Sequence, residues 1–105
     1  MYKENFDKFP EEIQDAITAA QARSRVLEQA LHQYDPSDHV VDGRTDRIAE
    51  ALEDQIAAVD RQLQAADLLP DQDRPAASLQ LWRERVGLLD ALVDVHVTHA
   101  SNVGL

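Results

Sequence analysis

Four carboxylates recur every seven residues in the middle of the chain: Asp46, Glu53, Asp60 and Asp67. On an α-helix a seven-residue step returns almost to the same face. The row is therefore a line of negative charge with a repeat of about 10 Å. Glu50 and Asp54 add charge on the neighbouring solvated face. Carboxylates held on a rigid rod suit one kind of chemistry, accepting charge-assisted hydrogen bonds from the arginines and lysines of a partner. Two copies paired along this edge would repel, so the strip is expected to face water or a basic surface. The plainer use is a solvated flank, partly neutralised by Arg83 and Arg85.

The histidines offer a second possible chemistry. His32 and His39 surround one connector, and His96 and His99 stand three residues apart near the end. An i, i+3 pair on a helix can ligate a metal, and Glu28 precedes His32 by one turn. Carboxylate-bridged di-iron bundles, however, need Glu-x-x-His on two helices. Gln29 and Val93 occupy the positions where those glutamates would stand. Asp35, Asp38, Asp42 and Asp46 lack the spacing and central glycine of a calcium loop, and turn formation or helix capping accounts for them. No metal site and no cofactor are expected.

Catalysis has less support still. The chain has no cysteine. Ser24, Ser37, Ser78 and Ser101 lack a nucleophile-elbow context, and there is no glycine-rich phosphate loop. No acid falls on a predicted inward face, where burial would raise its pKa. A non-enzymatic protein is expected.

The elements that carry the acidic row must be helices. Of 105 residues 44% are hydrophobic but only 5% aromatic, and there are three glycines and four prolines. Such a composition favours small aliphatic side chains packed between helices over an all-β fold. The length suits one domain, 1–105. The first helix begins near Phe9-Pro10 and ends by Tyr34, before Asp35-Pro36. Ile13, Ile17, Ala20, Leu27, Leu31 and Tyr34 form its apolar stripe, with Ser24 as the weak position.

The second helix spans about 43–69. Asp42 or Thr45 caps its start, and Ala49, Leu52, Ile56, Val59, Leu63 and Ala66 fill every a and d position. The third helix spans about 75–101 and carries two stripes. One is Leu79, Trp82, Val86, Leu89, Val93 and His96; the other is Leu81, Leu88, Leu92 and Val95. Such a helix is either central or buries one face in another copy. Gly87 inside it costs about 1 kcal/mol relative to alanine, which close helix packing would offset. The stretch LVDVHVTH, residues 92–99, alternates like a strand, but no second β-branched segment is long enough to pair with it.

Together these features predict an all-α protein of three long antiparallel helices in an up-down-up bundle. Homodimerisation through Leu81, Leu88, Leu92 and Val95 is the preferred assembly. Net charge is −10, and residues 35–73 alone contribute −8. That charge argues against direct binding to nucleic acid or to an anionic membrane. No basic-then-apolar leader and no apolar run of about 20 residues is present, so a cytoplasmic location is expected.

The function that follows is an adaptor, inhibitor or regulator. It binds a protein partner with a basic surface through Asp46, Glu50, Glu53, Asp54, Asp60 and Asp67. Two alternatives stand beside it. One is a nucleic-acid mimic that blocks a DNA- or RNA-binding protein, as small acidic proteins of phages and mobile elements do. The other is a helical metalloprotein centred on the histidines. Arginine outnumbers lysine eight to two, a usage that fits a GC-rich bacterial or phage genome.

Overall fold

A computed structural model describes residues 9–33 and 43–103, without the side chains of 43, 45 and 99–103. The chain forms three helices, α1 (Glu11–His32), α2 (Gly43–Ala66) and α3 (Arg74–Val103), and no strand among the described residues. The expected all-α bundle is what forms. Its three rods are unequal: 22, 24 and 30 residues, or roughly 33, 36 and 45 Å at the usual rise.

Local chemistry sets the helix ends. Pro10 stands one position before the first turn, at φ −54° and ψ 139°. Its carbonyl accepts from the backbone N–H groups of Ile13 at 3.0 Å and Gln14 at 2.9 Å. Glu11 and Glu12 then complement the positive end of the helix. Helix α2 begins at Gly43 and contains Thr45, so Thr45 is not its cap. The loop residues Asp35, Asp38, His39 and Asp42, and also Tyr34, lie outside the described residues.

After Ala66 the chain tightens into i→i−3 hydrogen bonds through Leu69, three residues short of the expected helix end. Arg74 then locks the connector. Its Nη1 donates to Asp71 Oδ1 at 2.8 Å and its Nη2 to the Leu69 carbonyl at 2.6 Å.

Helix α3 is the common partner: α1 and α2 both pack along it and make few direct contacts with each other. This resolves the two-striped pattern. Leu27 and Leu31 of α1 and Ala49, Leu52 and Ile56 of α2 share one apolar cluster with Val86, Leu88, Leu89, Leu92 and Val93 of α3. Leu92, assigned above to an interface between copies, is buried in this core. Leu81, Leu88 and Val95 are half-buried. Leu88 and Leu92 of the second stripe are thus used within the chain, whereas Leu81 and Val95 stay half-buried outside that cluster.

All six a and d positions of α2 are buried or half-buried. LVDVHVTH is helical throughout, with Leu92 buried and Val93, Val95 and His96 half-buried, while Val97 and Thr98 are exposed. Gly87 is exposed, and a Cβ placed there would meet nothing within 4 Å. Close packing does not offset its cost.

Candidate docking strip on the second helix

The acidic row divides into two parts. Asp46, Glu50, Glu53 and Asp54 are all exposed, and no ion pair reaches them among the described residues. They occupy the first half of α2, within about 12 Å along the axis. Asp46 also lies in the first turn, where the helix dipole favours negative charge. Asp67 is exposed as well, just past the last residue of α2. All five are exposed to solvent.

Asp60 does not share that environment. Its Oδ1 accepts from Arg85 Nε at 2.7 Å, and Arg85 Nη2 lies 2.7 Å from Glu28 Oε1. One guanidinium of α3 therefore joins a carboxylate of α1 to a carboxylate of α2. The Arg85 side chain is only 15% exposed, and its charge lies 5.9 Å from the centre of the Trp82 ring. Burial works against the charged form of Arg85. The hydrogen bonds to Asp60 and Glu28 outweigh it and hold the pKa above the ordinary value. Arg85 is thus a permanent cation. Of the two neutralising arginines suggested by the sequence, Arg85 has this role and Arg83 is exposed.

Sequence reasoning missed two features here. Glu28 lies 57 positions from Arg85, so no local spacing could reveal the pair. Arg74 has its side chain 11% exposed, and only the folded connector shows why. A further ion pair, Arg23 with Asp90, spans 3.9 Å with both partners more than half exposed. Such a pair contributes little.

Of the four histidines only His32 and His96 have described side chains. His32 is exposed at the end of α1, and His96 is half-buried on α3. The side chain of His99 and all of His39 lie outside the described residues. Among the described residues no group of three or more His, Asp or Glu side chains could hold a metal ion. Nor is any helix among the described residues long and apolar enough to cross a membrane. What the site can do chemically is accept hydrogen bonds from cations along an exposed edge. Comparison of the chain with protein-family models, with curated proteins and with solved structures finds no match.

Proposed function

We propose that this is a non-enzymatic binding protein whose α2 recognises the basic surface of a macromolecular partner and modulates it. The observation that carries the reading is the exposed group Asp46, Glu50, Glu53 and Asp54. These four carboxylates outnumber the two exposed arginines of the same half-helix, Arg44 and Arg47, and a partner's arginines and lysines would complement the excess negative charge. Asp60 leaves the docking set, because its carboxylate already serves Arg85.

The test starts from protein captured by the wild-type chain from an extract of its source organism. Affinity for the captured partner is then measured against salt and against the double variant Glu50→Lys/Glu53→Lys. Binding should weaken steeply with salt and fall below detection in the variant. Retention of the partner by the variant would overturn the reading. Competition by DNA or RNA for the same partner identifies the protein as a nucleic-acid mimic; simultaneous binding excludes mimicry.

Self-association adds a second surface to this reading. A groove of about 380 Å³ runs between α2 and α3, lined in part by Ala65, Ala66, Leu69, Ala77 and Leu81. A homodimer would use this groove, which lies at the far end of α2 from Asp46, Glu50, Glu53 and Asp54 but has Glu84 in its lining and Asp67 beside it. A light-scattering mass of 11.8 kDa, and not twice that, removes the dimer.

A further inference from the structure

One face of the α2–α3 pair is nearly free of charge. It starts at the groove beside the connector, where Gln62, Ala65, Leu81 and Glu84 line the wall. Steps of seven return almost to the same side of a helix. On α2 the face therefore runs back from Gln62 through Gln55 to Ile48, and from Ala65 through Ala58 and Ala51 to Arg44. On α3 it runs from Leu81 through Leu88 to Val95, and from Glu84 to Ala91. Of these positions only Arg44 and Glu84 are charged, in a chain that is 29% charged overall. Glu53 stands two and a half turns from Gln62, so the acidic row lies on the opposite side of α2.

The chain does not close this face itself. Ile48 is 45% exposed; Ala51, Gln55, Gln62 and Ala65 are exposed, and Leu81, Leu88 and Val95 are half-buried. No ion pair reaches Arg44 or Glu84 among the described residues. The two lone charges are opposite in sign and stand at opposite ends. The bond from Arg85 to Asp60 sets the register of the antiparallel pair, which puts Glu84 level with Arg61. Arg44 then lies about 25 Å further along the same face.

We propose that a second copy of the chain covers this face, related by a two-fold axis that crosses the helices midway between Arg44 and Glu84. That axis exchanges the two ends, so Arg44 of each copy pairs with the partner's Glu84. It also sets Ile48 against the partner's Ala58, large against small, and brings Leu88 close to the partner's Val95. Such a contact is isologous, and the surface has to suit its own copy. Glutamine amides both donate and accept hydrogen bonds, so Gln55 and Gln62 meet an identical surface without like charges opposing. The face is about 33 Å long and spans two helices about 9 Å apart. Each copy would bury roughly 600 Å², and the total of about 1,200 Å² reaches the lower limit of stable interfaces. A basic partner finds one carboxylate and one guanidinium here, and hence no net charge to answer its own. The arrangement rests on the self-association placed at the groove above, and is independent of the acidic strip.

The test is sedimentation equilibrium of the full chain at about 0.15 M salt, where the mass should be twice 11.8 kDa. Arg44→Glu and Glu84→Arg should each weaken the dimer by about tenfold or more, because symmetry repeats the like-charge contact. The double variant Arg44→Glu/Glu84→Arg should return to the wild-type affinity. Both positions are exposed, so all three variants should keep the helical circular dichroism. Glu50→Lys/Glu53→Lys should leave the dimer unchanged; its loss there would move the contact to the strip and overturn the arrangement. A wild-type chain that stays monomeric up to about 1 mM removes the dimer altogether. A dimer that ignores both single variants, or that the double variant does not restore, overturns this arrangement and leaves only self-association by another face. Capture of a partner through the strip is decided separately by the salt and charge-reversal measurements above.

Discussion

Glu53 and Asp60 occupy the same heptad position one repeat apart on α2, and the bundle uses them in opposite ways. Asp60 is half-buried and bonded to Arg85, which reaches across to Glu28 on α1. Glu53 is exposed, and no ion pair reaches it among the described residues. Position beside the apolar seam therefore does not decide what a carboxylate does. What decides it is whether a cation from the next helix arrives at that level. Where Arg85 arrives, the charge becomes part of the fold; one repeat earlier, it remains available to another molecule.

The contrast can be broken most directly at Arg85. Replacing it with alanine strands two carboxylates that are each less than half exposed. The loss should be about 2 kcal/mol in urea unfolding, below the figure for a fully buried pair because water reaches both partners. A loss under about 0.5 kcal/mol would make the three-way contact an ordinary surface pair and erase the distinction. Two residues further along, Gly87 points outward with open space around it. Gly87→Ala should stabilise the protein by up to about 1 kcal/mol, so neighbouring positions on α3 should shift stability in opposite directions. The smallest effect belongs to the strip itself. Glu50→Lys/Glu53→Lys should leave unfolding within about 0.5 kcal/mol of the wild type, even as partner binding disappears. A larger loss would mean that these acids are structural after all.

The sequence made the fold legible because α2 obeys one rule throughout: its six a and d residues all become core or half-core. The two stripes of α3 also stated its place, since only a helix flanked on both sides needs them. Choosing between a neighbour in the same chain and a second copy required the contacts, because Leu92 looks the same in either case. The candidate site was half legible. The row of acids is visible as a period, but Glu53 and Asp60 cannot be told apart until Arg85 is placed between them. Ser24 showed as a flaw in a stripe; that its buried hydroxyl has no hydrogen-bond partner depends on every atom around it.

One consequence follows from α1 and α2 each leaning on α3 and scarcely on each other. The molecule has two interfaces that can fail separately. The α2–α3 pair is closed by a short connector stapled by Arg74, whereas α1 has no such staple among the described residues. Opening of α1 alone would leave Arg85 still bonded to Asp60. Amide hydrogen exchange should therefore show two tiers, with α1 exchanging through a partial opening and the centres of α2 and α3 only through global unfolding. Uniform protection across all three helices would instead mark a single cooperative unit. In the two-tier case α1 behaves as a latch, and each time it lifts it exposes the inner face of α3 to whatever else is in solution.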